Sequence, residues 1–263
     1  MDELDAILDR IEELYSAGDE AGARKLVKKT RKRHPEELML AEWEAVFAAD
    51  EGLYDDALRV LDEVLGKEPD RPFALHERAK SLFELWRFDE GIPQLEAILR
   101  DRLIDDDPLA EAEVRFDLAC ALDHEGRTDE ADRQFQLAAK QAPDDFPVPA
   151  RGSRREFEAM VLRSLEAIPA QLRTYLDQVS IVVQNYPPRS APGPYLLGLY
   201  EGLPRTQRLH DDRDHLDSVF IFQRNHETLN LPPEELEDEV RRTVIHEVAH
   251  HFGLGEDDMG EYA

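Results

Sequence analysis

Residues 52–70 read "GLYDDALRVLDEVLGKEPD". The stretch opens on a glycine, places the small Ala57 early in a run with helical apolar spacing, and stops at Pro69. Three other stretches start the same way: "GDEAGARKLV" (18–27), "WRFDEGIPQL" (86–95) and "GRTDEADRQF" (126–135). Ala23, Ala57, Gly91 and Ala131 are spaced 34, 34 and 40 residues apart, as are Val27, Leu61, Leu95 and Phe135. Pro35, Pro69 and Pro143 each follow one of these small residues by twelve positions. In the preceding helices Ala45, Ala79 and Ala119 keep the 34 and 40 spacing. A 34-residue helix–turn–helix unit accounts for the whole pattern. Small residues let paired helices approach closely, and prolines end each second helix. The six extra residues before the fourth unit fall near "RDRLIDDDP" (100–108), expected to be a loop.

These motifs resemble the tetratricopeptide repeat family, most closely in residues 52–70, where Gly-x-Tyr-x-x-Ala is followed by the closing proline. The resemblance implies an all-α solenoid of about four helix pairs over residues 1–145. Such solenoids use an extended surface to hold peptides or proteins, so a protein partner is expected on the repeats.

"QAPDDFPVPARGSR" (141–154) breaks the pattern with three prolines and a glycine, and residues 146–154 read as a linker. Residues 155–263 then read as a small α+β domain. Phe157, Val161, Leu165 and Ile168 share one helical face. "VSIVV" (179–183), "PYLLGLYEG" (194–202) and "SVFIF" (218–222) are strand candidates, the last expected at a sheet edge where it can pair with an extended peptide. "LNLPPEELEDEVRRTVIHEVAHHFG" (229–253) reads as a long helix, with Pro232 and Pro233 at its start and Gly253 at its stop. Val240, Val244, Val248 and Phe252 form its docking face.

On that helix His246, Glu247 and His250 spell His-Glu-x-x-His. Residues four apart differ by about 40° around a helix axis, so both imidazoles can reach one Zn²⁺ ion while Glu247 stands beside it as acid/base. With thirteen residues after His250, a ligand from a further helix is not expected. Gly253 allows the chain to turn back, which makes Glu256 the candidate third ligand and Asp257 the neighbouring alternative. His210, His215 and His226 are upstream alternatives. Tyr200 is a candidate donor to a tetrahedral oxyanion, with core packing as its other possible role.

Together "FEAMVLRSLEAIP" (157–169), "VSIVV", "LLGLYEG", "LDSVFIF" (216–222) and "TVIHEVAHHFGLGEDD" (243–258) resemble the small bacterial zincin-like metallopeptidases. Ser218 departs from the pattern, standing where that family tends to have arginine. The resemblance implies His246 and His250 as zinc ligands, Glu247 as catalytic acid/base, and an acidic residue beyond the glycine turn completing the site. The expected activity is zinc-dependent hydrolysis of peptide bonds by metal-activated water with Glu247 as general base. The alternative is a repeat-based adaptor whose zinc module is structural or silent.

Composition sets the outer limits. The net charge is −27, from 32 basic and 59 acidic residues. Such a surface repels phosphate backbones and anionic lipids, so neither nucleic acid nor membrane is expected as a partner. "MDELDAILDR" carries acids where a secretory signal needs positive charge, and Cys120 is the single cysteine, expected as a buried structural thiol. The expected compartment is the cytoplasm.

Overall fold

The computed structural model describes residues 3–104, 107–169, 173, 176, 179–203 and 217–254. The chain divides into two units, Met1–Phe146 and Pro147–Ala263.

The first unit contains eight helices among its described residues, α1 (Glu3–Ser16), α2 (Glu20–Arg31), α3 (Leu38–Asp50), α4 (Tyr54–Lys67), α5 (Pro72–Glu84), α6 (Phe88–Arg100), α7 (Pro108–His124) and α8 (Thr128–Gln141). They pack in consecutive antiparallel pairs, each pair against the next. The periodic small residues sit where the pairs meet: Ala23, Ala45, Ala57, Ala79, Ala119 and Ala131 are all buried. Pro35, Pro69 and Pro143 lie just beyond the ends of α2, α4 and α8. Cys120 is half-buried and packs against the core of the third and fourth pairs.

Two details depart from a uniform repeat. Gly18, Gly52 and Gly126 take positive φ at the turn inside their pairs, whereas the equivalent position in the third pair is Trp86 at φ 61°. That left-handed backbone costs a non-glycine residue about 1–2 kcal/mol. The indole offsets it by packing on Phe88 and His124. The insertion before the fourth pair is not simply a loop: α7 has 17 residues against 13 in α3 and α5. Pro108 is compatible with a first helical turn, and Asp107 caps it by accepting from the backbone N–H groups of Leu109 and Ala110, so the helix starts early.

The second unit comprises α9 (Arg154–Ala167), β1 (Val179–Gln184), β2 (Gly198–Glu201), β3 (Asp217–Phe222), the short α10 (Gln223–Glu227) and the long α11 (Pro233–His251). Ser153 and Glu156 form a capping box that starts α9. The sheet order is β1-β3-β2, with β1 parallel and β2 antiparallel to β3. "SVFIF" is therefore the central strand, not the edge expected from its sequence. Apolar alternation marks a buried face, not a position in the sheet, and the open edges among the described residues belong to β1 and β2. Phe157, Val161 and Ile168 of α9 and its end meet Val219 and Ile221 of β3 and Val240, Val244 and Val248 of α11 in one apolar core. The valine stripe of α11 thus fixes which of its faces remains for chemistry.

Candidate metal centre and its buried anchor

The face of α11 turned from the valine stripe carries His246 and His250, whose Nε2 atoms lie 3.3 Å apart. The rings stand nearly perpendicular, at 87°. Nδ1–H of His250 donates to the Leu254 carbonyl at 3.1 Å, just past Gly253, where φ is +85° and α11 has ended. A proton held on Nδ1 leaves the Nε2 lone pair as the ligand atom. Two nitrogens each about 2.0–2.1 Å from a tetrahedral zinc are about 3.3 Å apart, so this pair fits two corners of such a site.

Glu247 is buried, at 7 % exposure, beneath β2. It lines a cavity of about 270 Å³ with Gly198, Thr243 and His246. Gly198 is there for space: a Cβ at that position would come 2.7 Å from Cγ and 2.8 Å from Oε1 of Glu247. The strand backbone can pass this close to the glutamate only because the residue has no side chain.

A second cluster holds the end of α11. Nδ1–H of His251 donates to Oδ2 of Asp217 at 2.7 Å, and the Tyr200 hydroxyl donates to the same oxygen at 3.0 Å. His251 and Asp217 are 2 % and 1 % exposed as side chains. Gly202 makes room here too, since a Cβ would reach within 2.6 Å of the Tyr200 hydroxyl. Strand β2 therefore touches the site at both ends, through Gly198 at Glu247 and through Tyr200 at Asp217.

The structure brings His246, Glu247 and His250 together. It places the Tyr200 hydroxyl on Asp217. His226 is fully buried, its Nδ1 2.9 Å from the Phe222 carbonyl and its Nε2 3.1 Å from Thr243 Oγ1, so both ring nitrogens are engaged away from the histidine pair. Burial pushes its pKa down to about 4, which keeps the ring neutral. Glu256, Asp257, His210 and His215 lie outside the described residues.

The roles of Asp217, His251 and the two glycines were not drawn from the sequence, although signals existed. His251 follows Val248 by three and so continues the buried stripe of α11. Asp217 shares the inward face of β3 with Val219 and Ile221. An ionisable residue on an apolar periodicity marks a buried partner.

Family models carry the geometry to a classification. A tetratricopeptide-repeat model matches residues 8–72 and 76–146, and a zincin-like metallopeptidase model matches residues 176–263. The chain belongs to the tetratricopeptide-repeat family and carries a zincin-like metallopeptidase domain. No curated protein matches it. Among solved structures it is similar to "Crystal structure of MamA protein", at 20 % identity over 60 % of this chain and 78 % of that one. The TM-score of 0.39 is too low to carry an argument. No helix among the described residues is long and apolar enough to cross a membrane.

Proposed function

We propose that the chain is a zinc metalloendopeptidase whose repeats recruit its protein substrate or a regulator, acting in the cytoplasm. The observation that carries this is the convergence of the His246 and His250 Nε2 atoms, with His246 and the buried Glu247 lining a cavity bordered by β2. In our reading His246 and His250 hold Zn²⁺, with Glu256 as third ligand and Asp257 ranked second because it needs a turn one residue longer. Zinc bound there supplies a Lewis acid that polarises the scissile carbonyl and acidifies water. Glu247 takes a proton from the attacking water and returns it to the leaving nitrogen. The edge of β2 that is open among the described residues can pair with an extended peptide, and Gly198 of the same strand lies directly against Glu247. Tyr200 serves as a positioning residue, because its hydroxyl proton is committed to the buried Asp217 rather than to an oxyanion.

The alternative is a repeat-based adaptor with a silent or structural zinc module, which the small cavity of about 270 Å³ favours. Purified chain should contain about one zinc, abolished by His246→Ala or His250→Ala. Glu247→Gln should keep the metal, lose hydrolysis by about 10²–10⁴-fold and trap substrate in pull-downs. Loss of zinc from Glu247→Gln would overturn the division of roles, and undiminished hydrolysis would overturn the mechanism. Glu256→Ala should weaken zinc binding by about ten- to a hundredfold, with Asp257→Ala doing much less.

A further inference from the structure

The first helices of the first three repeat pairs line two adjoining hollows. One, of about 1010 Å³, is bounded by the end of α1, the start of α3 and the turn into α5. The other, of about 480 Å³, continues along α3 and α5 to α7. Tyr15, Trp43 and Phe73 line both and form a continuous aromatic floor, with ring centroids 5.1 Å apart for Tyr15–Trp43 and 6.4 Å for Trp43–Phe73. Phe73 is 42 % exposed, and Met39 beside it is 39 % exposed. Apolar groups left open in a concave surface gain from being covered.

Charge decides what covers them. The cations on these walls are already engaged: Lys67 with Glu36, Arg71 with Glu42 and Glu68, and Lys80 with Glu77. Among the described residues, none of the lining carboxylates Glu12, Asp50, Asp70, Glu84 and Glu113 has a cation within ion-pair distance. Burial holds the carboxyls of Asp50 and Glu84 above their ordinary range, outweighing the Tyr15 hydroxyl that donates to Asp50, the Arg24 charge that acts on Asp50 and the Lys80 charge that acts on Glu84. An incoming cation would relieve that cost, whereas a phosphate or an acidic peptide would add to it.

We propose that this groove binds a cationic peptide segment of a partner protein, with an apolar or aromatic side chain on the Tyr15–Trp43–Phe73 floor and lysine or arginine opposite Asp50, Glu84 and Glu113. The assignment deepens the recruiting role proposed above for the repeats and rests on it. Aromatic faces beside carboxylates that have no cation at ion-pair distance among the described residues select both halves of such a ligand.

The test uses the full chain carrying Glu247→Gln, so that no probe is cleaved, and three fluorescent twelve-residue peptides read by anisotropy. The first interleaves lysine and arginine with leucine and phenylalanine. The second replaces every basic residue by glutamate, and the third replaces every apolar residue by serine. The first should bind at least about tenfold more tightly than either of the others. Glu84→Gln and Glu113→Gln should each weaken it by roughly two- to fivefold. Phe73→Ala, at a position 42 % exposed, should weaken it by roughly tenfold with the helical signal unchanged. Asp129→Asn, on the exposed start of α8, should change nothing. Equal binding of the first and third peptides would reduce the groove to bulk charge and overturn the proposal. So would equal binding of the first and second, or an Asp129→Asn effect as large as that of Glu84→Gln. Anisotropy does not depend on hydrolysis, so a silent groove and a silent peptidase give separate failures.

Discussion

In the repeats, the buried carboxylate of Glu42 is met by Arg71, whose guanidinium donates to both of its oxygens at 2.6 and 2.7 Å from the next helix pair. In the second unit, the buried carboxylate of Asp217 is met by His251 from the end of α11 and Tyr200 from β2. The first contact joins neighbours in a stack, and every other pair stands without it. The second ties β2 and α11 to β3, the central strand of the sheet formed by the described residues. Both bury charge, but one loads a modular structure and the other a single shared core. The repeats should therefore absorb damage locally, while the second unit should lose fold and site together.

Asp217→Ala puts the largest strain on that contrast. Leaving the His251 imidazole and the Tyr200 hydroxyl without their carboxylate should cost the second unit about 3–5 kcal/mol. Limited proteolysis should show residues 147–263 digested first while the helical signal of the repeats persists. Repeats melting in step with the mutated unit would mean one cooperative core.

Acid should separate the units next. His226 titrates near 4 when folded, below its ordinary 6.5, so its contribution is full above about 6.5 and is lost as pH falls towards about 4. That amounts to about 3 kcal/mol from the second unit, readable in denaturant midpoints. His76 in the repeats has the opposite sign. Burial opposes its charged form, but the hydrogen bond and charge of Asp117, 2.7 Å away, outweigh burial and raise its pKa. Its contribution is full below about 6.5 and is lost as pH rises through the folded value. Acidification over this window should weaken the second unit and not, through this pair, the first. His226→Asn should flatten the slope of the second unit alone.

Gly198→Ala should act on the site with little effect on the repeats. The added methyl must displace Glu247, and a shift of that size should lower hydrolysis by about 10–100-fold with zinc retained. Full activity would mean that Glu247 has no need of its present place. Asp107→Ala should have the smallest effect, about 1 kcal/mol, confined to the repeats, because it removes one helix cap. An effect that reached peptide hydrolysis would show coupling that neither contact pattern suggests.

The closeness of His246 and His250 was legible because they are one helical turn apart and the helix itself brings their Nε2 atoms to 3.3 Å. The repeats were legible for the same reason, since Ala23, Ala57, Gly91 and Ala131 restate a local instruction every 34 residues, and after 40 at the last step. The anchor was harder to see. Tyr200, Asp217 and His251 are separated by 17 and 34 residues and meet only when β2, β3 and α11 pack. Trp86 at a glycine position is a milder case: its backbone is costly by itself and is held by rings from α6 and α7.

The sequence by itself determined the helix pairs, the long helix with its stop at Gly253, and the pairing of His246 with His250 around Glu247. Each of these rests on residues within a few turns of one another, where helix geometry alone sets distance. Only the tertiary structure decided that β3 is central and β2 lies against the glutamate. It alone joined Asp217 to His251 and gathered Tyr15, Trp43 and Phe73 into one floor. Those outcomes depend on which apolar faces bury one another, and three short strands with similar alternation carry no local mark of their order.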